Sequence, residues 1–156
     1  MEAEKLTWEK IELMCEKLAN QIKGSGFKPE VLIGISRGGW IPARIISDML
    51  GVYRVASIGV VFYKGVGKTL DKPKLTQELN VDIRGKRVLL IDDVADSGES
   101  LMLAKEKALA LAPSQLKTAT LNYKPMSKIR PDFFVEETTS WLVYPWERKE
   151  FEKEKK

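Results

Sequence analysis

Three carboxylates follow a short apolar run near the middle of the chain. The run spans residues 88–91, and Asp92, Asp93 and Asp96 come soon after it. Serine, glycine and glutamate residues at positions 97–100 then lead into a helical pattern. Backbone amides at the start of a helix bind phosphate readily, whereas adjacent carboxylates suit sugar hydroxyls or a magnesium ion. Capping of a strand-to-helix turn needs only one such residue, so the cluster predicts a phosphate-binding loop beside functional carboxylates.

A second group of this kind follows the apolar run at residues 31–35. Ser36 and Arg37 stand there before the glycine pair Gly38 and Gly39. The glycines let the backbone approach an anion closely, and the arginine adds a charge that is not lost at physiological pH. Taken alone, the same residues would also suit an ordinary glycine-rich turn before a helix.

These groups need a scaffold that brings two strand ends together. We predict a first helix with Thr7 as its N-cap and an apolar stripe at helical spacing, which ends near Gly24 and Gly26. The remaining pattern predicts strands at 31–35, 55–63, 88–91, 118–123, 133–135 and 141–144, and helices at 41–50 and 100–112. Strands that alternate with helices indicate an α/β fold with a parallel sheet, in which ligands bind beyond the carboxyl ends of the strands.

Composition limits the chemistry that is available. The chain has 156 residues, which suits one domain, and it contains no histidine and one cysteine. Histidine-based triads, zinc–histidine sites and an internal disulfide are therefore excluded. No apolar run reaches the roughly 18 residues of a membrane span, and the N-terminus does not resemble a secretion signal. We predict a cytoplasmic protein that has neither a membrane nor a nucleic acid as its partner.

The segment 88–100 resembles the phosphoribosyl pyrophosphate signature of the type I phosphoribosyltransferases. That signature is an apolar strand, two acids, two spacers and Asp-Thr-Gly-x-Thr, and here Ser97 and Ser100 keep both hydroxyls. Residues 36–39 resemble the pyrophosphate loop of this family, in which a cis peptide would fall at Ser36-Arg37. The segments 122–125 and 140–147 resemble the xanthine-guanine branch, so the resemblance covers about residues 6–147.

The resemblance implies a fold, a reaction and an assembly. The fold would be a single α/β domain over residues 1–150, a parallel twisted sheet flanked by helices, with a small hood from the N- and C-terminal segments. Charge composition, rather than the resemblance, predicts a charged and frayed tail at residues 151–156. The reaction would be the Mg²⁺-dependent transfer of a phosphoribosyl group from phosphoribosyl pyrophosphate to a 6-oxopurine (guanine, xanthine or hypoxanthine), with release of pyrophosphate. Relatives of this kind commonly form dimers or tetramers, so we expect a homo-oligomer.

The same resemblance assigns roles to individual residues. Asp92 and Asp93 would hold the ribose hydroxyls and the magnesium ion, and Asp96 would handle the proton at purine N7. Lys124 would bind the 6-oxo group, while Trp141 and Leu142 would pack on the purine ring, which needs a flat apolar face. The full phosphoribosyl pyrophosphate site would comprise Ser36, Arg37, Gly38, Gly39, Asp92, Asp93, Ala95, Asp96, Ser97, Gly98, Glu99 and Ser100.

Three alternatives stay open at this point. A regulator could bind the sugar donor or RNA with the same fold, although it would not need the three aspartates and Lys124 together. The base could instead be adenine or a pyrimidine, but an ammonium group at Lys124 cannot accept a hydrogen bond from the 6-amino group of adenine. A nucleic-acid-binding module would fit the net charge of +4 but shows no RNA-binding motif. Residues 65–69 resemble part of a P-loop, but Phe62 occupies the position of its first glycine; we assign them to a flexible loop, 63–84, that closes over the site.

Overall fold

The computed structural model describes residues 3–63 and 72–156. Strands and helices alternate along most of this length, as the sequence predicts. The strands are β1 (Ala3–Lys5), β2 (Val31–Ser36), β3 (Val55–Tyr63), β4 (Lys72–Gln77), β5 (Arg87–Ala95), β6 (Gln115–Tyr123), β7 (Phe133–Glu137) and β8 (Trp141–Val143). The helices are α1 (Trp8–Ser25), α2 (Trp40–Leu50), α3 (Glu99–Leu109) and α4 (Arg148–Glu154), with a 3₁₀ turn at Pro145–Glu147.

Within the described residues, the main sheet has six strands in the order β4-β3-β2-β5-β6-β7. All neighbours are parallel except β3 and β4, which are antiparallel. The register pairs Gly34 of β2 with Ile91 of β5, so the loops that follow these two strands leave the same edge of the sheet side by side. The predicted α/β architecture is confirmed, and it brings the two predicted anion-binding segments together.

The two faces of the sheet bury alternate residues of the same strands. On β2, Leu32 belongs to the core beneath α1 and α2, whereas Ile33 belongs to the core beneath α3. Leu89 and Leu90 of β5 divide between the two cores in the same way. A parallel strand covered on both faces must be apolar throughout, which explains the continuous apolar runs in the sequence.

The first helix begins and ends where its capping residues predict. The Lys10 amide donates to Thr7 Oγ1 at 3.1 Å, and Gly26 ends the helix in the left-handed region with a φ of 80°. The predicted apolar stripe is buried apart from Trp8, which is 52% exposed. Within residues 3–63 and 72–156, no helix has the length and apolar character needed to cross a bilayer.

The chain ends form a small second sheet that we call the hood. Strands β1 and β8 pair in parallel, with Ala3 opposite Trp141, and the Arg148 side chain donates to the Leu6 carbonyl at 3.3 Å. The predicted hood is therefore present. The prediction of a loose tail was wrong in its conformation, because residues 148–154 form α4 and Phe151 is buried against the hood.

Strand β4 is the main element absent from the sequence prediction, which assigned residues 63–84 to a loop. It is short, polar and at the edge of the sheet, and it contains Pro73, which lacks a ladder donor. The remainder of that predicted loop includes residues 64–71, which lie outside the described residues and contain the whole P-loop-like segment 65–69.

Candidate active site

The two adjacent aspartates lie on the last part of β5, which extends four residues beyond the predicted end at 91. The Asp93 amide donates to Asp92 Oδ1 at 2.8 Å, and the Val94 amide donates to Asp93 Oδ1 at 2.8 Å. Both carboxylates are thus held by the backbone of their own strand. Asp92 is only 9% exposed, so the pair lies at the base of the site rather than on its rim.

Burial makes the charged forms of this pair costly. Loss of solvent raises the pKa of Asp92 well above its usual value, and the charge of Asp93 raises it further. Burial likewise raises the pKa of Asp93, although interactions with the Asp92 side chain, the Val94 amide and the Trp146 indole act in the opposite direction. Two buried carboxylates in contact therefore favour a positive partner in the adjacent space.

Two cavities adjoin at these aspartates. The first has a volume of about 410 Å³ and lies over the loop between β5 and α3. The second, of about 400 Å³, lies between the loop after β2 and the 3₁₀ turn. The first is lined by Phe62, Asp92, Asp93, Val94, Asp96, Ser97, Gly98, Ser100 and Leu101. The second is lined by Ser36, Arg37, Gly38, Trp40, Ile41, Asp92, Asp93, Trp146, Glu147 and Glu150. Each cavity thus holds one predicted anion-binding segment, and the acid pair belongs to both.

The loop before α3 has the shape expected of a phosphate-binding loop. Ser97 Oγ accepts from the Glu99 amide at 3.3 Å, and Gly98 adopts a left-handed φ of 84° immediately before the helix. The Glu99 carboxylate pairs with Lys128 Nζ at 2.6 Å, so its charge is compensated outside the loop. The segment that contains Lys128 also holds the loop through its backbone, because the Lys128 amide donates to the Ser97 carbonyl at 2.9 Å.

We expect Gly98→Ala to lower the free energy of unfolding by about 1–3 kcal/mol, because an alanine is strained at this φ. An added Cβ would also lie 2.9 Å from Ile129 Cγ2 and closer still to Ser127 Oγ. Gly26→Ala is the matched control, since Gly26 has a φ of 80° but no atom within 4 Å of its Cβ position. Chemical denaturation of both variants measures their free energies of unfolding, and the difference between the two losses gives the cost of the contact with Ser127 and Ile129. An equal loss in the two would show that the contact with Ser127 and Ile129 costs nothing.

The loop after β2 packs directly against Asp93. Its Ser36-Arg37 peptide is cis, as the resemblance predicts. A Cβ at Gly38 would lie 2.6 Å from Asp93 Cγ, and a Cβ at Gly39 would lie 2.7 Å from the Ile35 carbonyl oxygen. Both positions therefore require glycine because of close approach. Arg37 is exposed and donates to Glu150 Oε1 of α4 at 2.8 Å, a contact that the sequence did not predict.

The predicted base-binding residues lie on two different elements. Lys124 follows β6, and its Nζ lies 3.4 Å from Asp96 Oδ1, so the structure pairs two predicted functional side chains. In the hood, Leu142 is buried and Trp141 is 44% exposed, with its ring edge-on to Phe151 at 5.2 Å. Trp141 and Leu142 line a small cavity of about 100 Å³ that shares Glu147 and Glu150 with the second main cavity.

Sequence reasoning missed several residues that complete the site. Tyr144 Oη donates to Asn122 Oδ1 at 2.8 Å and lies 3.2 Å from the Asp93 carbonyl oxygen. Trp146 and Glu147 line the second cavity beside the acid pair. Both belong to the segment 140–147 that carried the resemblance, but only Trp141 and Leu142 received a role there. Burial raises the pKa of Glu147, while its side chain accepts from the Tyr144 amide at 3.0 Å.

Comparisons with known proteins agree with this arrangement. The family model for the phosphoribosyl transferase domain matches residues 3–150. The xanthine-guanine phosphoribosyltransferase of Gluconobacter oxydans is 28% identical over 144 residues, covering 91% of this chain and 83% of that protein. The crystal structure of a purine phosphoribosyltransferase from Pyrococcus horikoshii has a TM-score of 0.84 and 37% identity, covering 94% of both chains. A hypoxanthine-guanine phosphoribosyltransferase from Bacillus anthracis has a TM-score of 0.68 and 25% identity, covering 85% of this chain and 79% of that one.

Proposed function

The chain belongs to the phosphoribosyl transferase domain family, and from this premise we propose that it transfers a phosphoribosyl group to a 6-oxopurine. The observation that carries the proposal is the junction of two cavities at Asp92 and Asp93. One cavity offers a helix N-terminus to the sugar phosphate, and the other offers the glycine loop and Arg37 to the pyrophosphate. The names of the curated and structural relatives support the same assignment.

A magnesium ion fits the acid pair. Among the described residues, no three or more Asp, Glu, Cys or His side chains form a group that could hold a metal on their own. Magnesium is commonly bound through one or two carboxylates together with the phosphates of a substrate, and Asp92 and Asp93 supply such a pair. Bound there, the ion would neutralise negative charge on the diphosphate.

The protein's own residues position the donor and manage charge. In the reaction, the bond from ribose C1 to pyrophosphate breaks while purine N9 forms a bond to C1. Arg37 and the amides of Gly38 and Gly39 stabilise the charge that develops on the leaving pyrophosphate. Asp92 and Asp93 accept hydrogen bonds from the ribose hydroxyls. Their negative charge also stabilises the positive charge that develops on the sugar.

The pair of Lys124 and Asp96 acts on the purine. Lys124 is largely buried and keeps its Nζ 3.4 Å from Asp96, so an ammonium donor and a carboxylate acceptor stand together. The ammonium donates to the 6-oxo group, and the neighbouring carboxylate accepts the proton at N7. Trp141 and Leu142 supply the apolar surface for the ring. The 6-amino group of adenine is itself a hydrogen-bond donor and would face the donor on Lys124 with no acceptor between them. This arrangement disfavours adenine.

The test is nucleotide formation from phosphoribosyl pyrophosphate and magnesium with guanine, xanthine, hypoxanthine or adenine. We expect turnover with at least one 6-oxopurine and little with adenine. Lys124→Met keeps the length of the side chain but removes its donor, and should lower kcat/KM for the 6-oxopurine about tenfold or more. Binding of the donor without turnover of any base would instead favour a regulatory protein.

Two further predictions from the sequence stay predictions. One is the cytoplasmic location, and the other is the assembly into a dimer or tetramer. Size-exclusion chromatography with light scattering addresses the second.

A further inference from the structure

Two buried side-chain donors lack a partner among the described residues, Asn122 Nδ2 and the indole of Trp146, and the indole belongs to a side chain that lines the second main cavity. Its Nε1 is inaccessible to solvent and makes no hydrogen bond within the described part of the chain. The side chain lines the same cavity as Asp93 and the glycine loop. Two other lining side chains with N–H groups have partners, because Arg37 donates to Glu150 and Trp40 donates to Ser57 Oγ at 2.8 Å. A buried donor without a partner is costly, so this N–H calls for an acceptor within the site.

The ring of Trp146 is held firmly in place. It stacks on Tyr144 with ring centroids 4.9 Å apart and planes 6° apart, and Trp8 packs against it at 5.9 Å. Tyr144 is in turn fixed by Asn122, and its hydroxyl lies 3.2 Å from the Asp93 carbonyl oxygen. Through Tyr144, the position of the indole is therefore coupled to the backbone at Asp93.

The neighbouring acceptor is the Asp93 carboxylate. Its Oδ1 accepts from the Val94 amide, which fixes one oxygen but leaves the group able to rotate about its remaining torsion. The Trp146 indole lines the same cavity as this carboxylate and lowers the pKa of Asp93, although its N–H completes no hydrogen bond with the described residues. A second donor on a rigid ring would fix the plane of the carboxylate.

We propose that Trp146 is a positioning residue, whose indole N–H orients the Asp93 carboxylate toward the ribose and the magnesium-bound diphosphate of the sugar donor. The inference rests on the proposed function, because it assigns Trp146 a task at the same site. It also gives the Pro-Trp pair in the C-terminal segment a role distinct from base binding. Trp141 packs on the purine ring, whereas Trp146 orients the carboxylate that binds the ribose.

The test is a double-mutant cycle between Trp146→Phe and Asp93→Asn, read as binding of phosphoribosyl pyrophosphate with magnesium by calorimetry. Phenylalanine keeps an aromatic ring for the stack but lacks the N–H. We expect Trp146→Phe to weaken donor binding about tenfold in the presence of Asp93. In the Asp93→Asn background it should change binding less than twofold, because the carboxylate it orients is gone.

Steady-state kinetics give a second readout that a structural role would not reproduce. We expect Trp146→Phe to raise KM for the sugar donor while KM for the purine stays unchanged. Trp8→Phe is the matched control, because it alters the packing beside the indole from outside the cavity and should change neither constant. If Trp146→Phe does not fold, Tyr144→Phe removes the hydroxyl near Asp93, keeps the ring stack and should also weaken donor binding.

The outcomes separate the two claims. Wild-type protein that binds no sugar donor would overturn the proposed function and this inference together. Wild-type protein that binds it, with equal affinity in Trp146→Phe or with the same loss in both Asp93 backgrounds, would overturn the inference alone.

Discussion

Asp96→Asn should lower kcat for 6-oxopurine transfer by about 10²- to 10⁴-fold, the range typical for loss of a general acid–base group. Asparagine keeps the shape of the side chain but cannot take the proton from purine N7. The Asp96 side chain is 57% exposed, so the ion pair with Lys124 contributes little to folding. The melting temperature should therefore change little while turnover falls.

Glu152→Gln is the control for Asp96→Asn. Glu152 pairs with Lys149 at 3.1 Å on α4, so this variant also breaks an exposed carboxylate–lysine pair, but at a distance from the reacting groups. It should keep wild-type kcat. An Asp96→Asn protein that retained more than a tenth of wild-type turnover would assign the proton transfer to another group.

Gly38→Ala should lower kcat/KM about 100-fold. Expressed as a free energy, this loss should exceed the change in the free energy of unfolding. The new Cβ would lie 2.6 Å from Asp93 Cγ and 2.8 Å from Oδ1, so the loop and the carboxylate must move apart. Displacement of a reactive group by about 1 Å can cost this much in rate. Steady-state kinetics with varied sugar donor, together with thermal unfolding, measure both effects.

Gly24→Ala provides the comparison for Gly38→Ala. Gly24 lies inside α1, and no atom lies within 4 Å of the position of its Cβ. Alanine there should stabilise the protein by about 0.5–1 kcal/mol and leave the kinetics unchanged. Wild-type activity in Gly38→Ala would show that the loop and Asp93 adapt without loss of their alignment.

The sequence predicted the parts of the fold that follow from local pattern. The continuous apolar runs indicated the central strands, and β3 matches its predicted bounds of 55–63. Strand β4 was missed because its polar residues give no apolar signal at the edge of the sheet. Strand β1 was missed because its three residues acquire their structure only by pairing with β8.

The contacts of the site likewise divide into those that sequence pattern predicts and those that form only between distant parts of the chain. The rule that ligands bind beyond the carboxyl ends of parallel strands predicted that Asp92 and Arg37 would meet, and they line one cavity. No local rule links Arg37 to Glu150, which is 113 positions away. The loose tail was predicted from charge alone, whereas Phe151 anchors α4 through its contact with Trp141. The individual roles of the site residues remain predictions that the variants above address.

The pairing of β1 with β8 affects the order in which the protein matures during synthesis. Among the described strands, the ribosome synthesises β1 first and β8 last, so Ala3 cannot meet Trp141 until all the other strands have been made. The acid pair on β5 and the glycine loop after β2 come from segments that emerge earlier and pair directly. A nascent chain can therefore pair the strands that carry the acid pair and the glycine loop before the hood exists, and the second main cavity is complete only after Trp146, Glu147 and Glu150 have been synthesised.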